Sequence, residues 1–228
     1  MEKRAAPASE RVTIHRQPSR AAYDRSIIEA ILDAGFICHL GFAVEGQPYV
    51  IPTLYARLGD RLIVHGSAAS RMLRTIRDGA PVCVTVTLVD GLVLARSAYH
   101  HSMNYRSVVV LGNAREISEP EAKVAALHSL MERLVPARWN EVRPPNRSEL
   151  KATSVLSIPL NEASAKLRSG PPTDEEEDYA LPVWAGEIPL TVVANAPCPD
   201  PKLAAGTPEP RHIKEYYLLH ERPLAGAK

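Results

Sequence analysis

The stretch that decides the fold is GQPYVIPTLYARLGDRLIVHGSAASR, residues 46–71. Two apolar runs, residues 49–56 and 61–65, are rich in the branched and aromatic side chains that favour β-strands. The segment Leu58-Gly59-Asp60 between them is a turn signal. Small and hydroxyl residues follow the second run, and a short helical pattern follows those. The stretch therefore predicts a hairpin whose second strand leads directly into a helix.

Similar strand-like runs extend in both directions from this hairpin. Turn signals at Glu45-Gly46 and Asp90-Gly91 predict further hairpins, and the second signal is the stronger because both of its residues tolerate positive φ. Six or more antiparallel strands joined in this way predict a mainly β fold with peripheral helices, a closed or partly open β-barrel of Greek-key type. A β-sandwich is the alternative architecture. The further runs lie at residues 36–42, 82–89, 92–98, 108–117 and 153–158, with a weaker one at 163–167.

Three segments have helical periodicity. A first helix ends at Gly35, after apolar residues that recur at helical spacing from position 23. A second spans about residues 69–78 and is expected to cross one mouth of the barrel. A third begins at Ser118, where a capping-box pattern precedes Pro120, and continues to about residue 134.

Composition divides the chain into three parts. Residues 1–20 mix charges, small residues and prolines without periodicity, which predicts a mobile N-terminal arm with little function. Residues 21–188 hold the predicted barrel. Residues 189–228 are a proline-rich extension, and no periodicity within 189–210 specifies regular structure. We expect this extension to wrap the surface or a neighbouring subunit, or to pack against nothing.

Charge and hydropathy exclude several classes of protein. The 27 basic and 26 acidic residues give a net charge of +1, which supplies no broad positive field for nucleic acid. No apolar run is long enough for a membrane span, and the first 20 residues lack the apolar core of a signal peptide. Cys38, Cys83 and Cys198 are far apart in the sequence, so we expect reduced thiols and a cytoplasmic protein.

The loop at residues 65–71 is a candidate anion site. Ser67, Ser70 and Arg71 supply two hydroxyls and a guanidinium at the start of a helix. Backbone N–H groups and the helix dipole favour a phosphate at such a place. The alternative is that Ser67 only caps the helix and that Arg71 is a solvated residue of the first turn.

Two further features lie outside that loop. Pro52 interrupts a strand, so it belongs on an edge or where a ligand replaces the neighbouring strand. Residues 99–107, an expected loop, concentrate histidines, tyrosines and an arginine, which would contact an organic ligand or form ordinary polar surface. Adjacent His100 and His101 point to opposite faces of an extended chain, so we predict no metal site. The sequence has no hydrolase elbow and no dinucleotide-binding glycine turn.

The chain resembles the pyridoxamine 5′-phosphate oxidase-like flavoproteins of the FMN-binding split-barrel superfamily, including the branch that contains the nitroimidazole-resistance proteins. The resemblance covers about residues 20–190. It rests on three motifs, QPYVIPTLY at 47–55, HGSAASR at 65–71 and YRSVVVLGNA at 105–114. It implies a split β-barrel, an FMN cofactor, and a homodimer with FMN at the subunit interface. It does not name the small-molecule substrate or the electron donor.

The resemblance also implies which residues form the site. In the family, a strand lines the isoalloxazine, a strand-to-helix turn holds the phosphate through an arginine, and a later strand touches the flavin. The matching cofactor-binding residues are Val50, Ile51, Pro52, Thr53, Leu54, His65, Gly66, Ser67, Ser70, Arg71, Arg106 and Ser107. Residues 164–168 lie where related proteins complete the pocket, and the candidate substrate or flavin pocket residues are His101, Asn104, Tyr105 and Trp184.

This chain departs from the family pattern in two places. The oxidases usually follow the phosphate-binding arginine with a lysine, whereas Met72 stands here, and Arg106 or a histidine would supply the missing contact. The Arg-Leu-His-type substrate motif of true pyridoxamine phosphate oxidases is absent, so vitamin B6 oxidation is not implied. We therefore expect an FMN-dependent oxidoreductase that acts on an unknown small molecule. The alternatives are a non-catalytic flavin- or haem-binding module and a cofactor-free interaction barrel.

Overall fold

A computed structural model describes residues 5–220 of the chain. The strands in this part are β1 (Ala21–Ala22), β2 (Ile37–Val44), β3 (Gln47–Leu58), β4 (Arg61–Ser67), β5 (Asp78–Leu94), β6 (Ser102–Glu116), β7 (Thr153–Pro159), β8 (Glu162–Arg168) and β9 (Gly186–Pro189). The α-helices are α1 (Arg25–Ala34), α2 (Arg71–Ile76), α3 (Pro120–Leu134), α4 (Arg147–Ala152) and α5 (Arg211–His220). Short 3-10 helices cover Glu10–Val12, Pro18–Arg20, Arg138–Glu141 and Glu176–Ala180.

Six of the strands form a ring. β5 pairs with both β2 and β6, and the ring continues from β6 through β7, β4 and β3 back to β2. β8 and β1 extend the sheet outward from β6, while β9 extends it from β5. All of these pairings are antiparallel. The prediction of a mainly β, partly open barrel is therefore confirmed, and the chain does not form the alternative sandwich.

Apolar side chains that alternate along the strands fill the ring. α1 and α2 add their apolar faces to the same core. α3 packs instead on the outside, where Ala126 and Leu130 cover Ala56, Ile63 and Val155. The helices thus close the core and cover part of the outer face of β3 and β4. Among the fully buried side chains inside the ring are Leu40, Leu62, Val84, Val110 and Leu156.

The two turns that flank β3 form as predicted. Glu45 and Gly46 both have positive φ, 50° and 82°, and Gly59 has a φ of 59°. These values are the left-handed backbone that a tight hairpin turn requires. The predicted hairpins β2–β3 and β3–β4 are therefore confirmed.

The predicted hairpin at Asp90-Gly91 is wrong, because β5 runs through both residues. The predicted runs 82–89 and 92–98 are therefore parts of one strand, which shifts register against β6 between Val89 and Gly91. A Cβ on Gly91 would lie 2.9 Å from the carbonyl oxygen of Ile188, so the glycine admits β9 alongside. Asp90 binds the Arg106 guanidinium. A dipeptide typical of turns here serves packing and charge pairing instead.

The helices differ from the prediction mainly at their ends. α2 has six residues rather than the predicted span 69–78, since β5 already begins at Asp78. α3 starts at Pro120 with Glu119 as its N-cap, so the predicted capping box at Ser118 is wrong. Proline takes the first helical position because its φ suits that place. The sequence pattern predicts none of α4, α5 and β9.

No helix within residues 5–220 is long and apolar enough to cross a membrane.

The N-terminal segment packs on the barrel from residue 9 onward. Arg11 pairs with Glu162 of β8 at 3.3 Å, and Lys166 Nζ donates to the carbonyl oxygen of Arg16 at 3.1 Å. Val12 is only 4% exposed. The prediction of a mobile arm is therefore wrong from residue 9 onward, because this stretch packs along β8. The division of the chain into domains stays a prediction.

Candidate functional site

The strands β3 and β4 separate at one end of their hairpin. Their pairing runs from Leu58 opposite Arg61 to Tyr55 opposite Val64. Beyond that point β3 pairs with β2 alone, and β4 pairs with β7 alone. Residues 50–54 of β3 and 65–67 of β4 therefore have open edges at the place where the strands diverge. We call these residues, together with Ser70 and Arg71, the β3–β4 fork.

Pro52 lies on the open edge of β3. It is opposite His39 in β2 and has no strand on its other side. A proline is tolerated there because no neighbouring strand needs its missing N–H. Val50, on the same face, is 66% exposed. The structure thus agrees with the prediction that Pro52 marks an edge, and it leaves an apolar surface beside that edge.

Only part of the predicted isoalloxazine strand faces outward. Ile51 and Thr53 are opposite the buried core residues Leu40 and Cys38, so their side chains belong to the inner face. Leu54 follows Pro52 on the outer face and is half-buried. A ligand on the outer surface of β3 would therefore meet alternate side chains, and Ile51 and Thr53 would offer it only their backbone.

The loop between β4 and α2 is held by its own backbone. Ser70 N–H donates to the carbonyl oxygen of Ser67 at 2.8 Å, and the Ser67 hydroxyl accepts from Ala69 N–H at 3.2 Å. A Cβ on Gly66 would lie 3.0 Å from the Leu73 side chain, so this glycine lets α2 pack closely. Ser67 therefore closes a turn within the loop and does not cap α2, so the alternative interpretation is wrong on this point; the N-cap residue of α2 is Ser70, which makes no side-chain cap.

Arg71 is exposed at the start of α2. Its guanidinium lies 4.6 Å from the centre of the Tyr49 ring, which brings the helix start next to β3 across the fork. No carboxylate among residues 5–220 forms an ion pair with Arg71, so its hydrogen-bond donors are available to an anion. Met72, at the position of the family's lysine, is instead buried in the core with Leu73.

His65 stands on the open edge of β4, half-buried. Its Nδ1 is buried and has no hydrogen-bond partner within the described part of the chain. Burial lowers the pKa of His65, because the charged ring is poorly solvated there. The fork therefore contains a neutral imidazole with an unused nitrogen. Neutral imidazole nitrogens of this kind bind metal centres.

Arg106 and Ser107 lie on β6, away from the fork. The Arg106 guanidinium donates to both Asp90 oxygens, at 2.9 and 2.7 Å, and these bonds raise the pKa of Arg106. The Ser107 hydroxyl donates to the carbonyl oxygen of Lys166 at 3.2 Å. Their partners in β5 are residues 87–88, whereas β2 meets β5 at residues 83–85. Within one chain they do not join Arg71.

The predicted loop at residues 99–107 is wrong in its second half, because β6 begins at Ser102. Asn104 is 7% exposed and bonds to Glu187 and Arg168, so its amide is engaged within the chain. His101 Nδ1 lies 2.8 Å from the carbonyl oxygen of Ser97.

The other two candidate pocket residues lie apart from each other. Tyr105 is opposite Arg168 in the β6–β8 register. Trp184 is 67% exposed and lies over Gly186, where a Cβ would come within 3.0 Å of the indole. The structure therefore does not bring the four candidate pocket residues into one cluster.

A cavity of about 650 Å³ lies beside β8, and we call it the cationic pocket. Lys166 and Arg168 are two residues apart on β8 and so share a face, but this spacing alone does not indicate a pocket. The N-terminal residues that complete it come from far along the chain, which no local pattern indicates. The pocket is lined by Arg16, Gln17, Arg20, Tyr99, His100, His101, Ser102, Lys166, Arg168 and Thr173.

Comparisons with solved structures find two close relatives that span most of the chain. The flavocytochrome Anf3 from Azotobacter vinelandii is 42% identical, with a TM-score of 0.89, and the match covers 92% of this chain and 98% of that one. An FAD- and haem-binding protein from Mycobacterium smegmatis is 37% identical, with a TM-score of 0.83 and coverage of 86% and 96%.

More distant similarities concern the fold and the family. A protein from Bacteroides thetaiotaomicron named for 5-nitroimidazole antibiotic resistance shares the fold at 23% identity and a TM-score of 0.55, over 64% of this chain and 85% of that one. A search of curated proteins finds no match. The family model described as pyridoxamine 5′-phosphate oxidase matches residues 24–167, which is more than half of the chain. The chain therefore belongs to the pyridoxamine 5′-phosphate oxidase family.

Proposed function

We propose that the chain is an oxidoreductase that binds a flavin and a haem. The observation that carries this proposal is the similarity, over most of the chain, to two proteins named for exactly these groups, a flavocytochrome and an FAD- and haem-binding protein. When bound, the flavin and the haem supply the electron-transfer chemistry. The residues of the chain have to hold and orient them.

The β3–β4 fork suits a flavin. The outer surface of β3 offers Val50 and Pro52 to a planar ring, and the opposite strand presents Gly41, which has no side chain to obstruct it. Arg71 has unpaired donors at the start of α2 for a phosphate, and such charge-assisted bonds are the strong ones. With Met72 in the core, Arg71 bears this contact without a neighbouring lysine.

FMN and FAD differ only in what is attached beyond the first phosphate. FMN, which the sequence predicts, and FAD share the ring system and that phosphate, so the fork suits both. The relative from Mycobacterium smegmatis is named for FAD, which supports the larger cofactor. FAD would need a second region of the protein for its adenosine and second phosphate.

His65 fits the role of a haem ligand. Iron in haem takes an axial nitrogen from a neutral imidazole. Burial lowers the pKa of His65, which keeps the ring neutral near pH 7. The ring also stands on an open strand edge, where no neighbouring strand blocks a ligand.

A homodimer completes the proposal. Large apolar side chains are exposed on the outer face of the sheet, among them Ile37, Val50 and Val89. Exposed large apolar side chains on a sheet face are typical of an interaction site when a partner covers them. In one chain Arg106 and Ser107 are remote from the fork, so a role in flavin binding requires a second copy to bring its β6 there.

We further propose that the protein acts on a small molecule in the cytoplasm. Cys38, Cys83 and Cys198 are all free, as is usual in a reducing compartment.

The test is to release the bound cofactors from the purified protein and identify them. Heat-released flavin is measured by fluorescence before and after phosphodiesterase treatment, which raises the fluorescence of FAD and leaves that of FMN unchanged. Haem is measured as its pyridine complex, and the mass of the particle by light scattering. The proposal expects flavin, haem and a dimer. Protein that neither contains nor takes up flavin would refute it.

A further inference from the structure

The lining of the cationic pocket is basic. Arg16, Arg20, Lys166 and Arg168 all line it, and no carboxylate is among its lining residues. None of the four forms an ion pair within residues 5–220. Some arginines elsewhere in the chain are neutralised, such as Arg57 by Asp33. Four unpaired cations around one cavity are stabilised best by a bound anion.

The cations are held in place by the fold. Arg168 donates to the carbonyl oxygens of Gly170 and Pro171, at 2.9 and 3.0 Å, and to Asn104. Burial lowers the pKa of Arg168, and the nearby charge of Arg20 lowers it further, while Glu187 and Tyr105 act in the opposite direction. The two guanidiniums therefore repel each other across the pocket, and an anion between them would relieve that repulsion.

The wall formed by the N-terminal segment is also fixed. Lys166 Nζ bonds to the Arg16 carbonyl oxygen at 3.1 Å. Between Arg16 and Arg20 lies Gln17, whose φ of 59° and ψ of 57° are left-handed and unfavourable for a residue with a Cβ. Strained backbone of this kind collects at functional sites. Arg16 and Arg20, on either side of this residue, both line the pocket.

The size and rim of the pocket indicate what kind of anion fits. A volume of about 650 Å³ is far larger than one phosphate and is typical of sites for organic ligands. Tyr99 stands at the rim, 89% exposed, with only an edge contact to His100 at 5.1 Å. An exposed aromatic face of this type can stack on a nucleobase.

We propose that the cationic pocket binds an adenosine diphosphate group. The four cations neutralise the diphosphate, and Tyr99 stacks on the adenine. Lys166 is opposite Ser107 in β6, so the pocket, like Ser107, is remote from the fork of its own chain. Two sources share this chemistry: the adenosine half of an FAD bound at the fork of the partner copy in the proposed homodimer, and a separate nucleotide such as a dinucleotide electron donor. The proposal deepens the proposed function, since either source would serve the flavin site, but ADP binding can be measured without any flavin.

The experiment compares two variants that lose the same charge. The pocket variant is Arg16→Gln with Arg20→Gln, and neither guanidinium has an ion pair to lose among residues 5–220. The control variant is Arg147→Gln with Lys151→Gln, both exposed on α4, away from the pocket. For each purified holoprotein, the FAD and haem contents are measured, and ADP is titrated by calorimetry at low and moderate salt.

Either of two results supports the proposal and names the source. In the first, the pocket variant holds about tenfold less FAD than the control, and its affinity for added FMN is unchanged. In the second, ADP binds the wild type and the control equally and binds the pocket variant about tenfold more weakly, with the difference largest at low salt.

The proposal is overturned if the pocket variant and the control agree within about twofold in both FAD content and ADP affinity. It is also overturned if the pocket variant loses haem alone, since the cations would then bind haem carboxylates. A failure of the proposed function looks different, because no flavin would be found in any variant while the ADP titration would still report on the pocket.

Discussion

The β3–β4 fork and the cationic pocket are two candidate ligand regions built in opposite ways. The fork comes from one continuous stretch, residues 50–71, in which two strands part and a helix follows. The pocket combines residues 16–20, 99–102 and 166–173, so its walls meet only in the folded chain. A sequence motif can therefore reveal a site of the first kind. A site of the second kind is formed by tertiary contacts and is seen only in the folded chain.

The two regions also differ in charge. The fork has one unpaired arginine, Arg71, beside an apolar surface and a neutral histidine. The pocket has four unpaired cations beside one exposed tyrosine. Arg106 belongs to neither region, because Asp90 holds it at 2.7 Å. We infer that the fork suits a planar ring with a single phosphate and that the pocket suits a more highly charged group.

The largest expected effect is the loss of haem on His65→Ala. The change removes the neutral imidazole of the fork, so bound haem should fall to near the background level. The measurement is the haem content after reconstitution and gel filtration. His128→Ala is the matched control, because His128 lies on the exposed side of α3 next to Glu132, at 3.6 Å. Equal haem in both variants would exclude His65 as the ligand.

The next effect concerns flavin affinity. Arg71→Ala removes charge-assisted bonds worth about 1.5–3 kcal/mol, which corresponds to roughly 10- to 150-fold weaker flavin binding. The fold should stay intact, since Arg71 is exposed and its guanidinium packs on the surface of the Tyr49 ring. Fluorescence titration of apoprotein measures the change, with Arg74→Ala on the same helix as control. An unchanged dissociation constant would show that Arg71 does not bind the flavin phosphate.

A third prediction separates the two regions through a buried ion pair. Asp174, next to the pocket residue Thr173, is buried and accepts bonds from the Arg96 backbone and guanidinium, at 3.0 and 3.1 Å. Asp174→Asn should lower the Tm by several degrees at pH 7 and weaken ADP binding, because the segment that carries Thr173 loses part of its anchor on Arg96, while the affinity of the fork for FMN stays the same. Parallel losses at both sites would show that the regions are not independent.

The same carboxylate predicts how this stabilisation depends on pH. Burial alone would raise the pKa of Asp174, but the hydrogen bonds from Arg96 and Ser97 outweigh it and lower the pKa. The stabilisation is therefore complete above the pKa of an unfolded aspartate, about 3.9, and is lost as the pH falls through the lower folded value. The Tm difference between wild type and Asp174→Asn should shrink between pH 5 and pH 2, as followed by circular dichroism.

The smallest effect is expected from Arg106→Gln. The Arg106 guanidinium already donates two hydrogen bonds to the Asp90 carboxylate. Because these donors are occupied, flavin binding should weaken by less than about threefold. Asp90→Asn is the companion variant, which frees the arginine without removing it. A loss as large as that of Arg71→Ala would show that Arg106 reaches the flavin, as the family resemblance implies.

Much of the fold could be predicted from local sequence because the strands alternate and the turns at Gly46 and Gly59 need left-handed backbone. Asp90-Gly91 misled for a physical reason, since the glycine accommodates β9, a strand that lies about a hundred residues later. The fork was visible in Pro52 and Arg71. The pocket was not, because the wall that carries Arg16 gains its order only from contacts with β8.

We propose above that the chain binds a flavin and a haem, and the absorption spectrum of the purified protein shows directly whether it does. The protein is incubated with FAD, FMN and haemin, passed through a gel-filtration column, and its spectrum is recorded. We expect the protein fraction from the column to show flavin absorption near ~450 nm together with a haem Soret band. A colourless protein after this treatment would contradict it.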